Sequence, residues 1–96
     1  MNDHIADLDE ERLKKCLAQI YKIQLSNCLP DDVMPQAMKT LHLDEEGAID
    51  LLSSLIRLGW INTGNIRPRF FLRPGYVNCF PVVVSAAGIE KISGWL

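Results

Sequence analysis

Residues 44–61, DEEGAIDLLSSLIRLGWI, constrain the fold of this chain more than any other stretch. Ala48, Leu51, Leu52, Leu55 and Leu58 recur at intervals of three and four, the spacing that puts them on one side of a helix. Ile49 and Ile56 widen that face. Asp44 stands at the N-cap, and Glu45 and Glu46 suit the positive end of the helix dipole. Arg57 suits the negative end. Gly59 then falls at the position after the cap, where a left-handed backbone costs glycine little, and Trp60 follows where an apolar side chain folds back onto the last turn. A leucine-faced helix therefore ends sharply and feeds a short strand at Trp60, Ile61 and Asn62.

Two helices are expected before it. Residues 1–7 are polar and read as a flexible N-terminus, and a first helix starts near Asp7 or Asp9. Asp7 and Glu10 have capping-box spacing. Leu13, Cys16, Leu17, Ile20 and Gln24 follow the helical period, all but the last apolar. Glu10–Lys14 and Glu11–Lys15 are i,i+4 pairs in the better orientation. Ile23 and Leu25 broaden the apolar surface, and Asn27 and Pro30 mark the stop. Pro35 is tolerable only in a first turn, so the second helix begins at about 32–34, capped by Asp31 or Asp32. Ala37, Met38 and Leu41 are its buried positions, and His42 and Leu43 form the turn into the third helix.

Downstream, two strands are expected, at about 67–73 and 76–84. Pro74-Gly75 between them is a type II turn signal. Arg69, Phe71 and Arg73 alternate with Phe70 and Leu72, so a strand here would have one largely basic face. Val82, Val83 and Val84 suit a buried strand, with Pro81 at an edge or bulge. Ser85 can cap a last helix over 86–92, which Gly94 ends. Trp95 and Leu96 read as packing onto the body or onto a second copy.

The chain's 96 residues fit one domain, spanning 8–96 after the N-terminal tail. No apolar run reaches the length of a membrane span, and the acidic N-terminus lacks the pattern of a signal peptide, so a cytoplasmic protein is expected. Cys16, Cys28 and Cys79 are odd in number and widely spaced, which argues against a disulfide framework. No Cys-x-x-Cys pair is present, and His4 and His42 stand apart, so no metal and no cofactor are expected. There is no glycine-rich phosphate loop, no HExxH and no nucleophile motif, and an enzyme is not expected. Charge is divided unevenly: residues 1–50 carry five Lys/Arg and eleven Asp/Glu, whereas residues 51–96 carry five Lys/Arg and only Glu90.

The run Ala37-Met38-Lys39-Thr40-Leu41-His42-Leu43, followed by Ala48, Leu52, Leu55, Gly59, Trp60 and Ile61, resembles the helix-turn-helix of winged-helix regulators. Val84-Ser85-Ala86-Ala87-Gly88-Ile89 is similar to the segment after the wing in that superfamily. The resemblance implies an α+β winged-helix fold: a three-helix bundle with helix-turn-helix, a short strand plus β-hairpin wing, and a short C-terminal helix. It also implies a transcriptional regulator binding double-stranded DNA, with Ser53, Ser54 and Arg57 of the third helix near bases and Arg67, Arg69 and Arg73 of the wing on the backbone. Homodimerisation is expected from the apolar breadth of the first helix and from Trp95 and Leu96. Affinity for DNA comes largely from phosphate neutralisation, which Asp44, Glu45, Glu46 and Asp50 oppose. The alternative is a winged-helix module that binds a protein partner through Asp44, Glu45 and Glu46 or through its apolar ends, Trp95 and Leu96. The three arginines fit either phosphate contact or a solvated strand face that blocks edge pairing.

Overall fold

The computed structural model describes residues 2–26, 29–64 and 67–95, with side chains from Glu10 onward. Three helices come first: α1 (Asn2–Ser26), α2 (Val33–Thr40) and α3 (Glu45–Arg57). A short strand, β1 (Ile61–Asn62), follows. After a helical turn, α4 (Pro68–Phe71), and a 3-10 turn (Val77–Cys79), the chain returns as β2 (Val83–Val84) and ends in α5 (Ala86–Ile92) and a second 3-10 turn (Ser93–Trp95). The strands form a two-stranded antiparallel sheet in which Ile61 pairs with Val84 and Asn62 with Val83. The fold is mostly helical with this small sheet, an α+β arrangement.

The core sits where α1, α2 and α3 meet. Leu17 and Ile20 of α1, Val33, Met34 and Ala37 of α2, and Ala48, Leu52 and Leu55 of α3 are buried there together with Phe80, Val82 and Ile92. Met38 and Leu41 lie at its margin, so α2 is buried chiefly through its first turn. That first turn follows a 3-10 turn at Pro30–Asp32, and Asp32 occupies the N-cap without a side-chain hydrogen bond.

The α2–α3 connection is short, and both of its ends are capped. The amide of Leu43 donates to the Met38 carbonyl at 2.8 Å and that of His42 to the Lys39 carbonyl at 3.3 Å, a Schellman arrangement with His42 in the left-handed region at φ 55°. Asp44 then accepts the Gly47 amide at 2.7 Å as N-cap of α3. The far end of α3 repeats the device. Trp60 N–H donates to Leu55 O at 2.9 Å and Gly59 N–H to Ile56 O at 3.0 Å, with Gly59 at φ 76°. Trp60 is thereby buried, while Leu58, expected on the core face, is 41% exposed because the chain turns away one residue later.

Ser85 ties the sheet to α5. Its amide donates to Trp60 O at 2.9 Å, its hydroxyl donates to Gly59 O at 2.6 Å, and the same oxygen accepts the Gly88 amide at 3.0 Å as N-cap of α5. The outer edge of β2 is covered from the other side: Gln24 Oε1 of α1 accepts the Val84 amide at 2.8 Å, and the Pro30 carbonyl accepts that of Val82 at 3.3 Å. Gln24, the polar member of an otherwise apolar stripe, is therefore an edge-strand partner.

Three expectations are corrected. First, α1 begins at Asn2, before Asp7 or Asp9. Residues 2–8 hold no glycine or proline, so a helix nucleated downstream propagates back through them at one hydrogen bond per residue. Second, α5 passes into a 3-10 turn at Ser93, and Gly94 lies within that turn instead of stopping the helix. Third, the β-hairpin over 67–84 does not form. Pro68 takes the first position of a helical turn, where its fixed φ is favourable and its missing N–H costs nothing. The Leu72 amide closes that turn on the Pro68 carbonyl at 2.9 Å. The 3-10 turn further on sets Val77 and Phe80 on one face, three residues apart, and both are fully buried. The Pro74-Gly75 turn does form, with Tyr76 N–H on Arg73 O at 3.1 Å and Gly75 at φ 88°, but it joins two helical turns, not two strands.

Candidate functional site

The segment from Arg67 to Phe80 is seated on α2 and α3 through its 3-10 turn and carries most of the distinctive surface chemistry. Its inner anchor is Phe71, half-buried, whose ring meets Phe80 edge-on at 5.9 Å. A helical turn separates consecutive side chains by about 100°, where a strand would separate them by 180°. With Phe71 and Leu72 turned inward, Arg69 and Phe70 point out together. The alternating basic face expected of a strand is thus replaced by a mixed one, with Phe70 at 46% and Tyr76 at 42% exposure.

Arg73 organises this surface. Its guanidinium carbon lies 4.5 Å from the centre of the Phe70 ring and 4.4 Å from that of Tyr76. The two rings meet edge-to-face at 5.0 Å and 79°, and Phe70 packs against Phe71 in the same manner at 5.2 Å. Cation–π contact of this kind contributes about 0.5–1 kcal/mol at an exposed site, and it holds a long side chain in one place. Arg67, the N-cap of α4, and Arg69 are exposed on the same segment.

A second bond fixes the segment to α3. The Gly75 amide donates to Oε2 of Glu45 at 2.7 Å, across 30 residues of sequence. Of the acids at the start of α3, Asp44 therefore caps its own helix, Glu45 holds the Pro74-Gly75 turn, and Glu46 is exposed. Asp50 and Arg57 are exposed further along and Ser53 is half-buried. Ser54 lies on the other flank of α3. There an open groove of about 430 Å³ runs between α1 and α3, floored by Leu13, Leu43 and Leu51, with Arg12, Asp50 and Ser54 as polar lining. Cys16 also lines it, and burial raises its thiol pKa above the ordinary value, only partly opposed by the nearby Arg12 charge.

The expected site residues thus divide into separate places. Arg67, Arg69 and Arg73 share one segment. Ser53 and Arg57 lie on α3, and Ser54 belongs to the α1–α3 groove. Asp44 and Glu45 are engaged within the chain. Trp95, 36% exposed, is covered in part by the Lys15 ammonium 5.9 Å from its ring centre, and Leu96 lies outside the described residues. Phe70 and Tyr76 were not expected on the surface. The available signal was Pro68, which is unfavourable inside a central strand and favourable at the start of a helical turn.

Among the described residues no group of three or more His, Cys, Asp or Glu is placed to hold a metal ion, and no helix is long and apolar enough to cross a membrane. No family model, no curated protein and no solved structure matches the chain.

Proposed function

We propose that this chain is a small DNA-binding protein of the regulatory kind, built on a winged-helix-like arrangement in which the 67–76 segment stands in for the wing. One observation carries the reading: Arg67, Arg69 and Arg73 are all exposed on a segment that Glu45 ties to the start of α3. Phosphate neutralisation by such side chains supplies most of the attraction between a protein and a duplex. The C-terminal half favours it, since Glu90 is the only acid after Asp50. Ser53 and Arg57 of α3 are the candidates for base or sugar contacts in this reading. Asp44 and Glu45 each accept a backbone amide, so these acids have structural tasks independent of any partner, although their charge still opposes phosphate.

The test is the salt dependence of binding to a mixed-sequence duplex. Each lost phosphate contact lowers the slope of log K against log salt by about 0.9. Replacing Arg67, Arg69 and Arg73 together with alanine should lower it by roughly two to three. No measurable duplex affinity at low salt would reject the reading.

A protein-binding module is the second reading. The exposed Phe70, Tyr76 and Arg73 have the aromatic and arginine composition of interface hot spots. The acidic surface for such a partner is Asp44, Glu45 and Glu46, of which Asp44 and Glu46 are exposed, with Trp95 a separate point of contact. Retention of a protein partner by the wild type, and its loss on Phe70→Ala with duplex affinity absent, would favour this reading. Homodimerisation remains a proposal that a concentration series in sedimentation velocity decides.

A further inference from the structure

Phosphate contact explains the three arginines but leaves Phe70 and Tyr76 without a task. Two large rings are kept on the surface although Phe80 is buried and Phe71 half-buried close by. Their burial would be favourable, so their exposure at 46% and 42% is a feature of how the segment folds. Arg73 and the edge-to-face contact between the rings fix them in place. The bases of an intact duplex are stacked on one another and offer such rings no face. An unpaired base does offer one, and stacking on an aromatic ring tolerates any base.

We propose that the 67–76 segment binds an unpaired nucleotide, stacking its base on Phe70 or Tyr76 while Arg67 and Arg69 meet the adjoining phosphates. This rests on the DNA-binding reading above and adds to it a preference for strands that are unpaired or locally opened. The charge complementarity is local: from Leu51 to Ile89 the chain holds four arginines and no acid. Arg73, whose guanidinium carbon lies over both rings, adds a positive charge beside them for the same strand. Preordering matters because the rings and the guanidinium lose little further freedom on binding.

The experiment compares three forms of one DNA sequence at fixed salt by fluorescence anisotropy: intact duplex, duplex with a short mispaired bubble, and single strand. The expected result is binding of the bubble and the single strand about tenfold or more tighter than the duplex. Phe70→Ala and Tyr76→Ala should each reduce that preference. Tyr76→Trp keeps a ring in place, and its added emission should be quenched by the single strand and bubble but not by the duplex. Equal or tighter binding of the intact duplex, a preference that survives both alanine replacements, or absence of quenching would overturn the inference while leaving DNA binding itself in place. Binding to none of the three forms would overturn both.

Discussion

The α-carbon of Gly88 rests against the carbonyl oxygen of Trp60. A β-carbon at residue 88 would overlap that oxygen and come within 2.9 Å of Cγ1 of Val84. The same Trp60 carbonyl accepts the Ser85 amide, so it is held from one side and crowded from the other. This contact seats α5 on the turn that follows α3, and it joins two parts of the chain that are far apart in sequence.

Gly88→Ala is expected to lower stability by about 2–3 kcal/mol, because the obstruction is backbone and no rotamer change relieves it. Gly94→Ala is the control, since nothing lies within 4 Å of a β-carbon there. It should be neutral or slightly stabilising through the unfolded chain. Urea denaturation of the two variants beside the wild type measures both effects. A Gly88→Ala protein as stable as the wild type would mean that α5 does not sit where it is described.

Gln24 gives a second prediction. Removing its amide leaves the partly buried Val84 N–H without an acceptor. An orphaned donor costs about 1–3 kcal/mol, so Gln24→Leu should be destabilising by that order despite fitting the apolar stripe of α1. Hydrogen exchange locates the effect: the Val84 amide should exchange faster relative to other core amides. Exchange unchanged at Val84 would show that the bond contributes nothing.

The three leading helices, and the caps of α3 and α5, were legible because their signals are local, whereas the start of α1 was not. Leucine spacing, Asp44, Gly59 and Ser85 each act within a few residues, and each occupies the position that its chemistry suggests. The segment 67–80 was not legible. Its alternation of charged and apolar side chains suits a strand, but the contacts that decide its form are tertiary: Phe71 against Phe80, Val77 in the core, and Glu45 on the Gly75 amide. Pro74-Gly75 specified a turn without specifying what the turn connects. The role of Gln24 was hidden for the same reason, since its partner lies 60 residues away. For the site, the arginines were readable as candidates, whereas the outward position of Phe70 depends wholly on a helical turn in place of a strand.

His42 offers a test of local backbone strain. It is the one non-glycine among the described residues with positive φ, at the turn between α2 and α3. His42→Gly relieves the left-handed conformation but adds freedom to the unfolded chain, for a net gain of up to about 1 kcal/mol. His42→Val, with a branched β-carbon, should instead cost about 1–2 kcal/mol. The order Gly, His, Val in thermal midpoint is the expected outcome. Valine as stable as histidine would contradict the left-handed turn.

Glu45 separates the structural and electrostatic parts of the functional proposal. Its carboxylate holds the Gly75 amide and also places a negative charge beside the arginine segment. Glu45→Gln keeps an acceptor oxygen and removes the charge. Glu45→Ala removes both. If the arginines attract DNA, the glutamine variant should bind roughly two- to fivefold tighter than the wild type at low salt, and the gain should fade as salt rises. The alanine variant gains the same electrostatic advantage but releases the Pro74-Gly75 turn, so it should bind less tightly than the glutamine variant. Its Gly75 amide should also exchange faster, whereas that of the glutamine variant should stay protected. Equal affinity of the two variants would show that the bond to Gly75 does not position the segment. Unchanged binding by the glutamine variant at low salt would place the DNA contact away from the start of α3.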